Sequence, residues 1–177
     1  ILNDSKVVKN KTSWLPMGSA IEDYINFYLN NQGKNVVGYQ IGLQKLDWLT
    51  GGFRDETLVI IGARPSIGKS AFAMQSIINV AKNGAKVGVV SIEMGNNELI
   101  SRMVSYTSGI DFNDIFRLKV PIDEIQRRLL DIHNLNIFFS DQTKCSIEGI
   151  RSSVIQLVGN NALDIVFIDY LQLMSSE

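Results

Sequence analysis

The stretch Gly62-Ala63-Arg64-Pro65-Ser66-Ile67-Gly68-Lys69-Ser70 decides how this chain is read. It stands between an apolar, β-rich run, Leu58–Gly62, and a helix-like segment, Lys69–Ala81, that closes at Asn83-Gly84. A glycine-bearing turn between a strand and a helix aims backbone N–H groups and a helix N-terminus at one point, a positive concavity suited to phosphate oxygens. Gly68 lets the backbone come close, Lys69 reaches toward β- and γ-phosphates, and Ser70 can set its hydroxyl on Mg²⁺. The first glycine of the phosphate-loop pattern is replaced by Ala63, with Gly62 directly ahead of it. The candidate phosphate contacts are therefore Ala63, Arg64, Pro65, Ser66, Ile67, Gly68, Lys69 and Ser70. A chance Gly-Lys-Ser at an ordinary turn is the competing reading.

A second element argues against chance. Ile165-Val166-Phe167-Ile168-Asp169 is an apolar strand ending in a carboxylate, one hundred residues after Lys69. On a parallel sheet such a carboxylate faces the ligand crevice, where Asp169 can hold the water shell of Mg²⁺ beside Ser70. Glu93 ends a third apolar run, Val87–Ile92, on the same sheet edge, where it can orient a water for attack on a γ-phosphate. Its alternative is a carboxylate capping the helix near Asn96.

Outward from these residues the order is strand, helix, strand. Asn96–Ser108 has Leu99, Ile100, Met103 and Val104 on one helical face, and Ile122–Ile132 follows Pro121. Ile137–Phe139 reads as a strand. Ser146 can cap a helix carrying Ile147, Ile150, Val154, Leu157 and Val158 that ends at Gly159, and Leu163–Ile168 is the last strand. Strands this continuously apolar need cover on both faces, which predicts an α/β fold with a mostly parallel sheet between helices.

Upstream, residues 1 to about 18 have no sustained period and read as a tail or linker. Ser19-Ala20-Ile21-Glu22 has capping-box form, so a helix is expected from Ser19 to Asn31 before the stop at Gly33. Ile21, Tyr24, Ile25, Tyr28 and Leu29 make its apolar stripe, which can pack on its own domain or on a neighbouring subunit. The expected division is a linker over 1–37 and an α/β domain over 38–177.

Composition narrows the function classes. The 177 residues are 45% hydrophobic and 20% charged, with 17 Lys+Arg against 18 Asp+Glu, which fits a folded domain and argues against nucleic-acid binding through bulk positive charge. One cysteine, Cys145, excludes an intramolecular disulfide, and one histidine, His133, leaves little to build a zinc shell. No apolar run approaches the roughly 18 to 20 residues that span a bilayer. With no secretion signal, a reducing, cytoplasmic location without membrane partners is expected. The chain opens at Ile1 and stops straight after a strand-like run, which reads as a fragment. Arg127-Arg128 and Lys119, interleaved with Asp123, Glu124 and Asp131, read as a solvated helix face. Trp48 and Phe53 are expected to be packing residues.

Gly62–Ser70, Val90-Ser91-Ile92-Glu93-Met94 and Asp169-Tyr170-Leu171-Gln172-Leu173-Met174 closely resemble the DnaB-type replicative helicases, hexameric motors with a RecA-like ATPase core. Gly42-Leu43-Gln44-Lys45-Leu46-Asp47 and Thr50-Gly51-Gly52-Phe53 are similar to the segment before the phosphate loop in those proteins, so the resemblance covers about residues 38–177. It implies a RecA-like P-loop NTPase fold, incomplete at the C-terminus, that uses ATP and Mg²⁺. It also implies that Glu93 is the catalytic carboxylate, that Lys69, Ser70 and Asp169 handle phosphate and metal, and that Gln172 senses the γ-phosphate. Single-stranded DNA, further copies of the chain in a hexamer, a primase and a helicase loader are the implied partners. The helix at 19–31 sits where the family has a linker helix that docks on the adjacent subunit. The family's collar domain, DNA-binding loops and arginine finger have no counterpart in these 177 residues, so the chain alone is expected to hydrolyse ATP poorly. Two rivals stand beside this reading: a filament-forming RecA-like recombinase, and a noncatalytic nucleotide-binding assembly module.

Overall fold

The computed structural model describes residues 14–64, 66–140, 146–161 and 163–169. Its sheet follows from the alternation of strands and helices along the chain. β1 (Val87–Ser91) lies between β2 (Ile137–Phe139) and β3 (Ile165–Asp169), both pairings being parallel, in the order β2-β1-β3. The β1-to-β2 crossover contains α4 (Asn96–Ser108), α5 (Phe112–Phe116) and α6 (Ile122–His133), and the β2-to-β3 crossover contains α7 (Ile147–Asn161). Parallel neighbours need such crossovers, because a tight turn can join only antiparallel strands.

Successive side chains of a strand point to opposite faces, and β1 divides accordingly. Val87 and Val89 join Met74, Ile77, Ile78, Val80 and Ala81 of α3 (Lys69–Lys82) and Leu99 and Met103 of α4 in the larger core cluster. Val90 meets Ile150 of α7 on the other face, with Ile92, Val154 and Val166 packed around them. Both faces are covered, as the continuous apolar strands predict. Ile78, Val80 and Val87 are fully buried, each contributing about 1.5–3 kcal/mol through removal of apolar surface from water.

Several expectations change. Leu58–Gly62 belongs to no strand: Leu58 is 85% and Ile60 75% exposed, and among the described residues the run has no ladder partner. Its β-propensity therefore goes unused, since propensity in a strand is chiefly packing against cross-strand neighbours. The first helix, α1, spans Met17–Asn31 and starts two residues before the expected cap. Pro16 precedes it with φ −60° and ψ 146°, and its carbonyl accepts from the Ala20 amide at 3.1 Å, so the chain enters the helix at the proline and Ser19 falls inside it. The helix α7 runs past Gly159 to Asn161, after Ser146, whose Oγ accepts from the Gly149 amide at 3.1 Å. Trp48 is 68% exposed and does not pack as expected, because the short helix α2 (Gln44–Thr50) turns Asp47 inward instead. Phe53 does pack, its ring 6.1 Å from that of Phe167. Glu124 pairs with both Arg127 and Arg128 on the solvent face of α6. His133 Nδ1 lies 2.9 Å from Asn134 Oδ1, and Cys145 lies outside the described residues.

Candidate nucleotide site

The C-terminal ends of β1 and β3 meet the N-terminal end of α3. Register sets this meeting: Ser91 pairs with Asp169, and the Ile92 amide donates to the Asp169 carbonyl at 2.9 Å. The Asp169 side chain then reaches α3. Lys69 Nζ stands 2.7 Å from Oδ1, and Ser70 Oγ donates to Oδ2 at 3.1 Å. Residues separated by 99 and 100 positions thus share one carboxylate, whose side chain is 17% exposed against 29% for Lys69.

The loop before α3 has the backbone that a phosphate cradle requires. Gly68, at φ 108°, occupies a conformation that side chains disfavour, and beyond its chain neighbours a Cβ built there would meet no described residue within 4 Å. The first amides of α3, directly after Gly68, have no partner within the helix. Ser66 is also left-handed, at φ 64°, without being glycine. That costs of order 1–3 kcal/mol and belongs to positions held by their surroundings, a conformation the residue type did not announce. The Ile67 amide closes a turn onto the Arg64 carbonyl at 3.4 Å. Ala63, Arg64, Ser66, Ile67 and Gly68 are exposed along the loop, and Pro65 lies outside the described residues.

Glu93 stands two residues beyond the end of β1, exposed, on the same edge as Asp169. The strand is shorter than expected there because Ser91 folds the chain over. Its Oγ donates to the Met94 carbonyl at 2.9 Å and accepts from the Met94 amide at 3.1 Å, tying together the bend that carries Glu93. Ser91 was missed as a site residue; a serine that bonds its own backbone a few residues on is the signal that marks it. Gln172 lies outside the described residues.

The donor set suits magnesium held together with a polyphosphate. Among the described residues no group of three or more His, Cys, Asp or Glu side chains gathers to cage a metal. One hydroxyl and one carboxylate, Ser70 and Asp169, offer oxygen ligands beside an ammonium and a helix N-terminus. Mg²⁺ accepts such sparse protein ligation, because it retains waters and takes the remaining oxygens from phosphate.

The site rests on a second layer that sequence reading did not find. Asp47 is 4% exposed, and its Oδ1 and Oδ2 accept from the amides of Ile41 and Gly42 at 2.9 and 3.0 Å. Asn79 of α3 donates to the Ile41 carbonyl at 2.9 Å. The helix that presents Lys69 and Ser70 is thereby fixed near its far end to the 41–47 turn.

Comparison with known proteins places this geometry. Residues 38–177 match the family model of the DnaB-like helicase C terminal domain. The chain is 30% identical over 159 residues to the replicative DNA helicase DnaB of Geobacillus stearothermophilus, covering 87% of this chain and 35% of the relative. It is 34% identical over 162 residues to the Helicobacter pylori DnaB, covering 88% of this chain and 33% of the relative. It therefore spans about a third of the length of the curated relatives it matches. Among solved structures, one described as an ATPase domain superposes with a TM-score of 0.82 at 28% identity, over 92% of this chain and 60% of that one. A DnaB-like replicative helicase, described together with its interactions with primase, gives 0.76 at 28% identity, over 93% of this chain and 41% of that one. The α/β architecture is therefore that of a RecA-like, DnaB-type ATPase domain.

Proposed function

The chain belongs to the DnaB-like helicase C terminal domain family, and from that premise we propose that it is the nucleotide-binding part of an ATP-dependent replicative DNA helicase, unwinding duplex DNA ahead of the fork. The observation that carries the reading is the meeting of Lys69 and Ser70, at the start of α3, with Asp169, at the end of β3, at 2.7 and 3.1 Å.

In this mechanism the loop from Ala63 to Gly68 and the first amides of α3 bind the phosphates, and Lys69 places its ammonium against the β- and γ-phosphate oxygens. Ser70 and Asp169 would hold Mg²⁺, which when bound draws charge from the transferring phosphoryl group. Glu93 accepts a hydrogen bond from the attacking water and takes its proton. Gln172 is assigned the sensing of the γ-phosphate on family resemblance alone.

The proposed partners are single-stranded DNA, further copies of the chain in a hexamer, a primase and a helicase loader. α1 supports assembly: it has no buried residue, and Ile21, Tyr24, Ile25, Tyr28 and Leu29 are all about half exposed or more. A helix with a broad apolar stripe gains stability only when that stripe is covered, and docking on a neighbouring copy covers it. No helix among the described residues is long and apolar enough to cross a membrane. We place the protein in the cytoplasm, with residues 1–37 as linker and 38–177 as ATPase domain.

The test is a split between binding and turnover in the full-length protein. Lys69→Ala should abolish nucleotide binding, whereas Glu93→Gln should leave binding largely intact and stop phosphate release. Equal loss of binding in both variants would refute the division of roles. A forked-duplex unwinding assay on the full-length protein separates a helicase from a strand-exchange ATPase.

A further inference from the structure

Glu93 is exposed, and among the described residues no hydrogen bond or ion pair engages its side chain. Nor does it cap α4, the alternative its position allowed. That helix starts after Gly95, whose carbonyl accepts from the Glu98 and Leu99 amides, and it has no side-chain cap. A carboxylate in this situation is aimed through its backbone, and the backbone on either side of it is held. Ile92 packs with Val90 and Ile150, and its amide donates to the Asp169 carbonyl at 2.9 Å. Met94 packs against the larger core cluster. The Ser91 hydroxyl closes the bend between them by using both of its capacities on one residue, donating to the Met94 carbonyl at 2.9 Å and accepting from the Met94 amide at 3.1 Å. Ser91 is also the residue of β1 that pairs with Asp169, so the bend that carries Glu93 starts on the same rung as the carboxylate of the nucleotide site.

We propose that Ser91 is a positioning residue: its hydroxyl bends the chain so that Glu93 is held at a fixed offset from Asp169. Without the hydroxyl the Met94 amide and carbonyl lose this partner, and β1 is free to run on. One further extended residue would carry Glu93 about 3.3 Å along the strand direction and alter the face to which it points. A general base must stand within hydrogen-bond reach of the water whose proton it takes, so a shift of that size removes Glu93 from the reaction. Gly68, Lys69 and Ser70 belong to another segment and stay where they are, so the loss falls on turnover and not on binding. The proposal rests on the reading of Glu93 as the base and adds to it the group that aims the base.

The test compares Ser91→Ala and Ser91→Thr in the full-length protein with ATP, Mg²⁺ and single-stranded DNA, and reads phosphate release beside the affinity for methylanthraniloyl-ADP. Ser91→Ala should lower kcat about ten- to a hundredfold, the scale of a misplaced catalytic group, while KM and nucleotide affinity stay within about twofold. Threonine keeps the hydroxyl and should recover most of the lost turnover. In a Glu93→Gln background, followed at single turnover, adding Ser91→Ala should cost less than about twofold, because a residue that acts through Glu93 has nothing left to aim. Circular dichroism and the nucleotide affinity verify that each variant is folded. An alanine variant with wild-type kcat, an equal cost of Ser91→Ala in both backgrounds, a loss of nucleotide binding that matches the loss of turnover, or threonine no better than alanine overturns this proposal alone. A Glu93→Gln variant that keeps wild-type turnover overturns the reading of Glu93 and this proposal with it.

Discussion

Replacing Asp47 by alanine tests whether the 41–47 turn, joined to the far end of α3, is held by one buried carboxylate. In the structure its two oxygens accept from the Ile41 and Gly42 amides at 2.9 and 3.0 Å. These two donors differ in what they can do next. Ile41 is 1% exposed, so its amide has no water to turn to, and a buried donor left without an acceptor costs about 1–3 kcal/mol. Gly42 is exposed, so solvent replaces its lost partner and the net loss there is about 1 kcal/mol or less. The sum for Asp47→Ala is about 3 kcal/mol of unfolding free energy. Asp47→Asn retains one acceptor but turns an NH₂ toward the second amide, and should cost about half as much. Urea unfolding at pH 7, followed by far-UV circular dichroism, gives both numbers. A cost below about 1 kcal/mol for the alanine variant, or an asparagine variant no better than alanine, would show that the carboxylate does not hold this turn.

Gly42→Ala should destabilise the fold by about 2–3 kcal/mol, because φ is 87° and a Cβ would lie 1.9 Å from Asn79 Nδ2. Since Asn79 is the obstacle, the Gly42→Ala/Asn79→Ala pair should cost less than the sum of the single changes, by about 1 kcal/mol in the same urea assay; strict additivity contradicts the contact. Tyr39 is pushed up to about 12 by burial, with Asp164 and Asp55 adding to the effect. Ultraviolet titration should therefore show one late-ionising tyrosine that disappears in Tyr39→Phe. The protonated phenol is favoured in the folded state, so its stabilising contribution is complete below about pH 10 and is lost as pH rises toward 12. Between those values Tyr39→Phe should lose less stability than the wild type.

What could be read from the residues depended on how local the determining physics is. The start of α3 at Lys69 and the strand ending at Asp169 were legible because each is a contiguous pattern, and the one hundred positions between them are the separation across which their side chains meet. The parallel sheet was legible because Val87–Val90 and Ile165–Phe167 are apolar at every position, which only two covered faces tolerate. Leu58–Ile61 misled for the same reason. Its composition states a preference for a strand, while pairing depends on a neighbour that composition cannot name. Pro16 displaced Ser19 because two adjacent start signals compete and the fixed φ of proline acts first. The helix α2 escaped notice because its one buried residue is Asp47, so it carries no apolar period. Asn79, the backbone bonds of Ser91 and the left-handed angle of Ser66, a residue named as a phosphate contact without it, escaped because each matters through a partner or a backbone angle, and residue type alone encodes neither.

The position of Asp169 is a property of the β1–β3 ladder as a whole. Sliding β3 by one residue would move the carboxylate about 3.3 Å along the strand and turn it to the opposite face, away from Lys69 and Ser70. The ladder is pinned at both ends against such a slip. At its start, Asp164 Oδ2 accepts from the Lys86 amide at 2.8 Å, and at its end the Ile92 amide donates to the Asp169 carbonyl at 2.9 Å. Between them Gly88 leaves room for its neighbours: a Cβ there would meet Leu163 Cδ1 at 3.1 Å and Val166 Cγ2 at 3.4 Å, so a larger residue would press on the strand that carries the carboxylate. The placing of the three-residue contact at the start of α3 is thus helped by Lys86, Gly88 and Asp164, which lie outside it, and a description of the site that stops at residues 62–70 leaves out the part that aims Asp169.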